Sequence, residues 1–200
     1  VIGSGQAGVP LAARLARAGR RVLIVEAADL GGTCVNDGCT PTKTLVAGAY
    51  AAHVARRAAD YGVAIKGPVD VDMRAVKARK DAVVAPSRNG VERSLKALQG
   101  CTVHEGHGRF AGPKEVRVGD ESLKADKIFI NVGGRALVPP IPGLDRTPYL
   151  TISSMMDVDF LPAHLVVLGG SYVGLEFAQM YRRFGSEVTS GALPALYAGL

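Results

Sequence analysis

Thiols are scarce in this chain: three cysteines among 200 residues are too few for the disulfide framework of a small secreted protein, so any sulfur chemistry must be local. Long apolar runs are missing too. No stretch of about 18 consecutive apolar residues occurs and no secretory leader is visible, so a membrane partner is not expected and a cytoplasmic setting is. Aromatic residues make up only 6%, and none interleaves with the basic series Arg74, Lys77, Arg79, Lys80, Arg88, Arg93 and Lys96. Asp81 and Glu92 interrupt that series, so despite a net charge of +6 it reads as a solvated helix face and not as a nucleic-acid footprint. What remains is 48% apolar, 21% charged and rich in glycine, the composition of an α/β protein with enough material to bury a core.

The glycines are placed with a purpose. Val1-Ile2 reads as the tail of a strand, Gly3-Ser-Gly5-Gln-Ala-Gly8 follows, Val9 to Ala18 reads as a helix closed by Gly19, and Arg21 to Val25 is an apolar strand ending in Glu26. Strand, Gly-x-Gly-x-x-Gly, helix, strand and acid together form the full context of a dinucleotide-binding βαβ unit. Gly3 permits the tight turn, Gly5 lets backbone approach a pyrophosphate, Gly8 lets helix pack close to sheet, and Glu26 can accept from a ribose hydroxyl. With only two residues ahead of the turn, the chain is expected to begin inside its first strand.

Cys34 and Cys39 stand between Gly31-Gly32-Thr33 and Thr40-Pro41-Thr42-Lys43. Thr40 is expected to cap a helix that opens with Pro41 and runs to Ala59, which puts Cys39 at a helix N-terminus. A free thiol of pKa about 8.5 is only about 3% thiolate at neutral pH. The helix dipole supplies about 0.3–1 kcal/mol, less than one pKa unit, so it cannot activate the thiol alone. A redox cofactor or a cation must help, and Lys43, four residues on and on the same helical face, is the nearest candidate. The order of segments points to dithiol chemistry beside a bound dinucleotide. Rival readings are a zinc site completed by His104 and His107, a structural disulfide, and simple buried thiols. The histidines fall in a different kind of segment and no second tight cysteine pair exists, which disfavours zinc. Cys101, at the head of an expected strand, reads as core.

Met73 to Leu98 is expected to be helical. Beyond Gly100, short alternating runs at Thr102–His104, Val116–Val118 and Ser122–Lys124 predict an antiparallel meander, with His104 and His107 as decoration. Lys127 to Val132 predicts a buried strand ending in Gly133-Gly134-Arg135, and Val138-Pro-Pro-Ile-Pro-Gly143 a stiff connector near a domain boundary. Leu165–Leu168 predicts a second buried strand, followed by Gly169-Gly170-Ser-Tyr-Val-Gly174, a helix through Arg183 and a strand start at Glu187–Thr189, so the first device is repeated. Ser171 takes the place of the middle glycine. From Ser190 onward glycine and proline replace the strand end and the residue that would choose between NAD and NADP; 190–200 is expected to be an aberrant tail of frameshifted or artificial origin.

The runs Val1–Gly8, Gly31–Lys43 and Gly169–Glu176 resemble the class I flavoprotein disulfide reductases, and within them most of all the mercuric reductases and their relatives, with the dihydrolipoamide dehydrogenases close behind. The resemblance extends to about Thr189. It implies an α/β fold: a three-layer, Rossmann-like FAD-binding domain over 1–146, with a parallel sheet and an antiparallel β-meander, and a partial second Rossmann-like domain for NAD(P)H over 147–200. It implies that FAD lies at Gly3, Gly5, Gly8, Glu26, Gly32, Thr33, Lys43 and Gly133, and NAD(P)H at Gly169, Gly170 and Gly174. Cys34 would be the interchange thiol and Cys39 the thiol facing the flavin. Lys43 and Glu176 would pair beside the flavin ring, a partner being what a buried lysine requires. Tyr172 would cover the flavin until nicotinamide displaces it. Where relatives carry threonine, this chain has Val132, which removes one hydroxyl contact.

The implied activity is NAD(P)H-dependent dithiol oxidoreduction, with Hg(II) the favoured substrate because two soft thiolates, Cys34 and Cys39, suit a soft metal. Lipoamide is the alternative, and an inactive flavin-binding fragment or interaction module is the alternative of another class. Relatives of full length are homodimers through a carboxy-terminal domain not seen in this sequence, so the 200-residue chain is expected to turn over little by itself.

Overall fold

The computed structural model describes residues 1–191. In chain order the elements are α1 (Gly8–Arg17), β1 (Val22–Glu26), α2 (Gly32–Asn36), α3 (Cys39–Arg56), α4 (Met73–Lys96), β2 (Cys101–Glu105), β3 (Gly108–Gly112), β4 (Glu115–Val118), β5 (Glu121–Lys124), α5 (Ile152–Met155), β6 (His164–Leu168), α6 (Tyr172–Phe184) and β7 (Glu187–Gly191), with 3-10 turns at Ala58–Tyr61 and Leu144–Arg146. They fall into two compact units. One comprises Val1–Thr40 and Val83–Arg135, the other Pro41–Ala82 and the chain from Ala136 onward.

Alternation along β1 decides the layering of the first unit. β1 runs parallel to β2, from Val22 beside Cys101 to Glu26 beside Glu105, and Ile2 bridges in parallel to both Val25 and Ile130. Successive side chains of a strand point to opposite faces. Val22 and Ile24 therefore pack with Ala12 of α1, Leu30 and Leu95 of α4, whereas Val25 and Leu23 pack with Ile2, Val116 and Val118. The last two belong to the antiparallel sheet β3-β4-β5. The layers are thus helices, parallel sheet and meander, the Rossmann-like arrangement that was expected.

In the second unit β6 runs parallel to β7, from His164 beside Glu187 to Leu168 beside Gly191. Helical spacing on α6 brings Phe177, Met180, Tyr181 and Phe184 to one side, where they bury against Leu45, Ala49, Met73, Met155 and Met156. Each such side chain contributes roughly 1.5–3 kcal/mol of burial. This core supports the helix that carries Glu176.

Several elements differ from expectation. Thr102–His104 lies in β2, a parallel neighbour of β1, and β3 takes its expected place in the meander, with an irregularity between Phe110 and Gly112. Period-two alternation is common to both kinds of sheet and does not separate them. Residues 127–132 are not a buried strand: they touch Ile2 through two backbone bonds, Ile2 N to Phe129 O at 2.8 Å and Asn131 N to Ile2 O at 2.7 Å, and Ile130 and Val132 are exposed. β6 is not fully buried either, since Val166 and Leu168 face outward among the described residues. α3 starts at Cys39, two residues before Pro41, which sits in the first turn where no amide donor is needed, and it stops at Arg56, with a separate 3-10 turn over Ala58–Tyr61. β7 continues through Ser190 and Gly191, past the expected break at Thr189; the remainder of the tail lies outside the described residues.

The basic series on α4 is not merely a solvated face. Lys80 is only 4% exposed, donates to Met156 O at 2.8 Å and pairs with Asp81 at 2.5 Å. Arg79 donates to Thr44 O, and Arg88 to Asn36 and Asp29. Long cationic side chains reach backbone acceptors that no charge count reveals.

Candidate active-site elements

The first glycine turn is a place of close backbone approach. Gly3 has φ +95°, and a Cβ there would lie 2.1 Å from Asn131 O; one on Gly8 would lie 2.3 Å from Gly3 O; one on Gly32 would lie 2.7 Å from Gly5 Cα. These three positions exclude side chains because three backbone segments converge. Gly5 is roomier, its nearest neighbour being the Asn131 side-chain amide at 3.4 Å. With its oxygen turned inward, that side chain accepts from the amides of Gly5 at 3.3 Å and Gly8 at 2.8 Å. Among the described residues the amides of Gln6 and Ala7 have no partner, and both residues are exposed.

Glu26 ends β1 beside this turn. Its Oε2 accepts from Ser4 Oγ at 2.6 Å and Ser4 N at 2.8 Å, its Oε1 from Ala28 N at 3.1 Å, and the fully buried Ser4 hydroxyl accepts in turn from Gly31 N at 3.1 Å. Burial pushes the Glu26 carboxyl up, but the Ser4 hydroxyl and the Ser4, Ala28 and Ala27 amides together outweigh it and hold the group below the usual carboxylate range.

Cys34 lies in the short helix α2 and is half-buried; Cys39 opens α3 and is exposed; both are free thiols. Their side chains are within hydrogen-bonding reach of each other. That bond raises the Cys34 thiol pKa, burial and the Cys39 charge raise it further, and the Cys39 amide partly offsets them. Gly38 makes the approach possible, because a Cβ there would stand 2.9 Å from Thr33 O and 3.3 Å from Cys34 Cα. Asn36 pins the same loop, donating to Leu30 O at 3.1 Å and Gly32 O at 3.0 Å while accepting from Arg88 Nε at 2.8 Å; Arg88 also pairs with Asp29 at 2.9 Å. Thr33 is exposed beside it.

In the second unit Lys43 of α3 and Glu176 of α6 form an ion pair. The lysine side chain is exposed, not buried. Gly169 has φ +114°, and a Cβ on Gly174 would meet Gly169 O at 2.7 Å, the same helix-on-turn contact that Gly8 makes with Gly3. Gly170 and Ser171 are exposed at the start of α6, and Tyr172, its first residue, is 81% exposed. Gly133 has φ +66° with open space around it, and Val132 is exposed. His104 faces Glu121 at 3.4 Å and His107 is exposed. No cluster of three or more His, Cys, Asp or Glu side chains able to hold a metal occurs among the described residues.

Four residues of this arrangement were not singled out from sequence: Ser4, Asn36, Arg88 and Asn131. Each acts on a segment distant in the chain or through a backbone group, and nothing local marks them. Only the position of Ser4 between two essential glycines could have drawn notice.

Residues 1–196 match the family model described as pyridine nucleotide-disulphide oxidoreductase, and the chain belongs to that family. It is an oxidoreductase family that uses FAD and NAD(P)H. Among its relatives the chain is 40% identical over 196 residues to the probable pyridine nucleotide-disulfide oxidoreductase RclA of Escherichia coli, covering 94% of this chain and 40% of RclA. The solved structure of that HOCl-induced flavoprotein disulfide reductase superposes with a TM-score of 0.82 at 38% identity. A mercuric reductase of Streptomyces lividans is 40% identical, covering 94% of this chain and 41% of its own length, and a dihydrolipoyl dehydrogenase of Acholeplasma laidlawii 36%, covering 98% and 61%. The chain therefore spans less than two thirds of the relatives it matches. No helix among the described residues is long and apolar enough to cross a membrane.

The residues present fit a dinucleotide at the first turn. Unpaired amides at the exposed Gln6 and Ala7 suit an anionic group, and a carboxylate whose pKa is held low at Glu26 suits a hydroxyl donor.

Proposed function

We propose that this chain is the dithiol-bearing part of a FAD-dependent NAD(P)H oxidoreductase that reduces Hg(II) through Cys34 and Cys39. The observation that carries the reading is the pair of free thiols in hydrogen-bonding reach, held by a loop adjoining the glycine turn. Residues 1–146 would form the FAD domain, with Gly3, Gly5, Gly8, Glu26, Gly32, Thr33 and Gly133 around the cofactor, and 147–200 part of the NAD(P)H domain, with Gly169, Gly170 and Gly174. Bound there, FAD supplies two-electron exchange between nicotinamide and sulfur.

The protein's own groups do the rest. Cys34, its thiol pKa raised, keeps its proton at neutral pH until a thiophilic ion displaces it; Cys39, more open to solvent, supplies the second sulfur. Lys43, paired with Glu176, offers a cation on the helix that Cys39 begins, and Tyr172 is exposed, as the resemblance requires of the residue that nicotinamide would displace. The balanced reaction is NADPH plus Hg(II) giving NADP+, a proton and Hg(0). The family resemblance supports a cytoplasmic homodimer for the whole protein.

The test has two parts. Titrating the reduced chain with Hg(II), followed by thiolate-to-metal absorption, is expected to show one ion per chain bound by both sulfurs, with Cys34→Ser and Cys39→Ser each losing that signal; an unchanged signal in the double variant rejects the site. In the full-length protein, NADPH oxidation driven by Hg(II) and exceeding that driven by lipoamide supports mercury. The reverse order transfers the assignment to lipoamide.

A further inference from the structure

The first helix lacks a local cap. Ala7 stands at the N-cap position and offers no side-chain acceptor, so the amides at the head of α1 must find partners elsewhere. Asn131, more than 120 residues further on, provides one. Its backbone amide donates to Ile2 O at 2.7 Å, its carbonyl oxygen occupies the space that a side chain on Gly3 would need, and its side-chain amide, in the orientation with oxygen inward that satisfies both donors, accepts from Gly5 N and Gly8 N. Of the four consecutive amides from Gly5 to Gly8, two are thereby tied and two, Gln6 and Ala7, stay open.

We infer that Asn131 is a positioning residue for the nucleotide: by engaging Gly5 and Gly8 it shapes the turn so that Gln6 and Ala7 present their amides to an anionic pyrophosphate. A serine or aspartate at position 7 would cap the helix too, but its oxygen would sit over the open end where the anion must come. Capping through Asn131 leaves that end clear. The neutral amide matters as well. An aspartate at 131 would accept from the same two amides yet place a negative charge beside the incoming anion. The inference rests on the dinucleotide reading of the first turn and adds to it the residue that prepares it.

The experiment uses the wild-type chain, Asn131→Ala and Asn131→Asp, with two readouts: FAD titration followed by flavin fluorescence, and amide hydrogen exchange at residues 5–8 in the flavin-free protein. Wild type is expected to protect Gly5 and Gly8 while Gln6 and Ala7 exchange freely. Asn131→Ala is expected to lose that protection and to weaken FAD binding about ten-fold, the size of one lost hydrogen bond. Asn131→Asp is expected to keep the protection but bind FAD more weakly, with the deficit shrinking as salt is added. Equal FAD affinity in wild type and Asn131→Ala overturns the inference, as does equally fast exchange at all four wild-type amides. Should Asn131→Ala fail to fold, Asn131→Asp and the wild-type exchange pattern still decide. A wild-type chain that binds no FAD rejects the flavin reading instead, and the exchange pattern then tests Asn131 by itself.

Discussion

Hydrogen bonds push two titratable groups of the first unit in opposite directions. For Cys34 the bond with Cys39, then burial, favours the protonated thiol, so alkylation by iodoacetamide should reach half its maximal rate above the ordinary thiol value of about 8.5. In Cys39→Ala that midpoint should fall; an unchanged midpoint would show that Cys39 is not the cause. For Glu26 burial is outweighed by the Ser4, Ala28 and Ala27 donors, and the folded carboxyl lies low. A lowered pKa contributes stability above the unfolded value of about 4.3, lost as pH falls through the folded value. Glu26→Gln should therefore destabilise the fold at pH 7, by about 1 kcal/mol after allowing for partial exposure, and lower Tm accordingly, and the gap to wild type should close in acid. Thermal melts at the two pH values check this. At this scale the sequence revealed chemistry-bearing residues, Cys34, Cys39, Glu26 and the Lys43–Glu176 pairing, through spacing or resemblance. It did not reveal their holders. Ser4, Asn36, Arg88 and Asn131 act through individual polar bonds to backbone or to distant side chains, which leave no periodic trace.

Elements were legible where helical periodicity is strong and where glycines punctuate. α1 and α6 fall close to the expected spans, and each carries in its first turn a glycine, Gly8 or Gly174, whose Cβ would strike the carbonyl oxygen of the glycine five residues earlier. Gly8→Ala should accordingly cost about 1–3 kcal/mol, because the obstacle is backbone and cannot swing away, while Gly5→Ala, facing only a side-chain amide, should cost less than 1. Chemical denaturation of the two variants tests the ranking. Strands were harder. β2 alternates like a meander strand but pairs in parallel, and 127–132 is apolar enough for a core strand yet remains paired on one side with outward-facing Ile130 and Val132. Which neighbour a strand takes is decided by the rest of the chain, beyond any local window.

Across the whole molecule, the three-layer unit matches the expectation that the family resemblance implied, and the two compact units share α3 and α4, each of which contributes residues to both. The stretch after Gly133 carries no regular structure until Leu144 and is exposed around Arg135. Limited trypsin digestion should cut first after Arg135, giving a fragment that begins at Ala136; early cleavage inside α4 instead would contradict this. Asn36 and Arg88 clasp the loop between the sulfurs before any ion arrives. A chelate ring closed by both cysteines then needs little further freezing of the backbone, its entropic cost having been met during folding. Release, more than capture, should quicken when the clasp is cut, so a guanidinium on a distant helix would govern how long a soft ion stays.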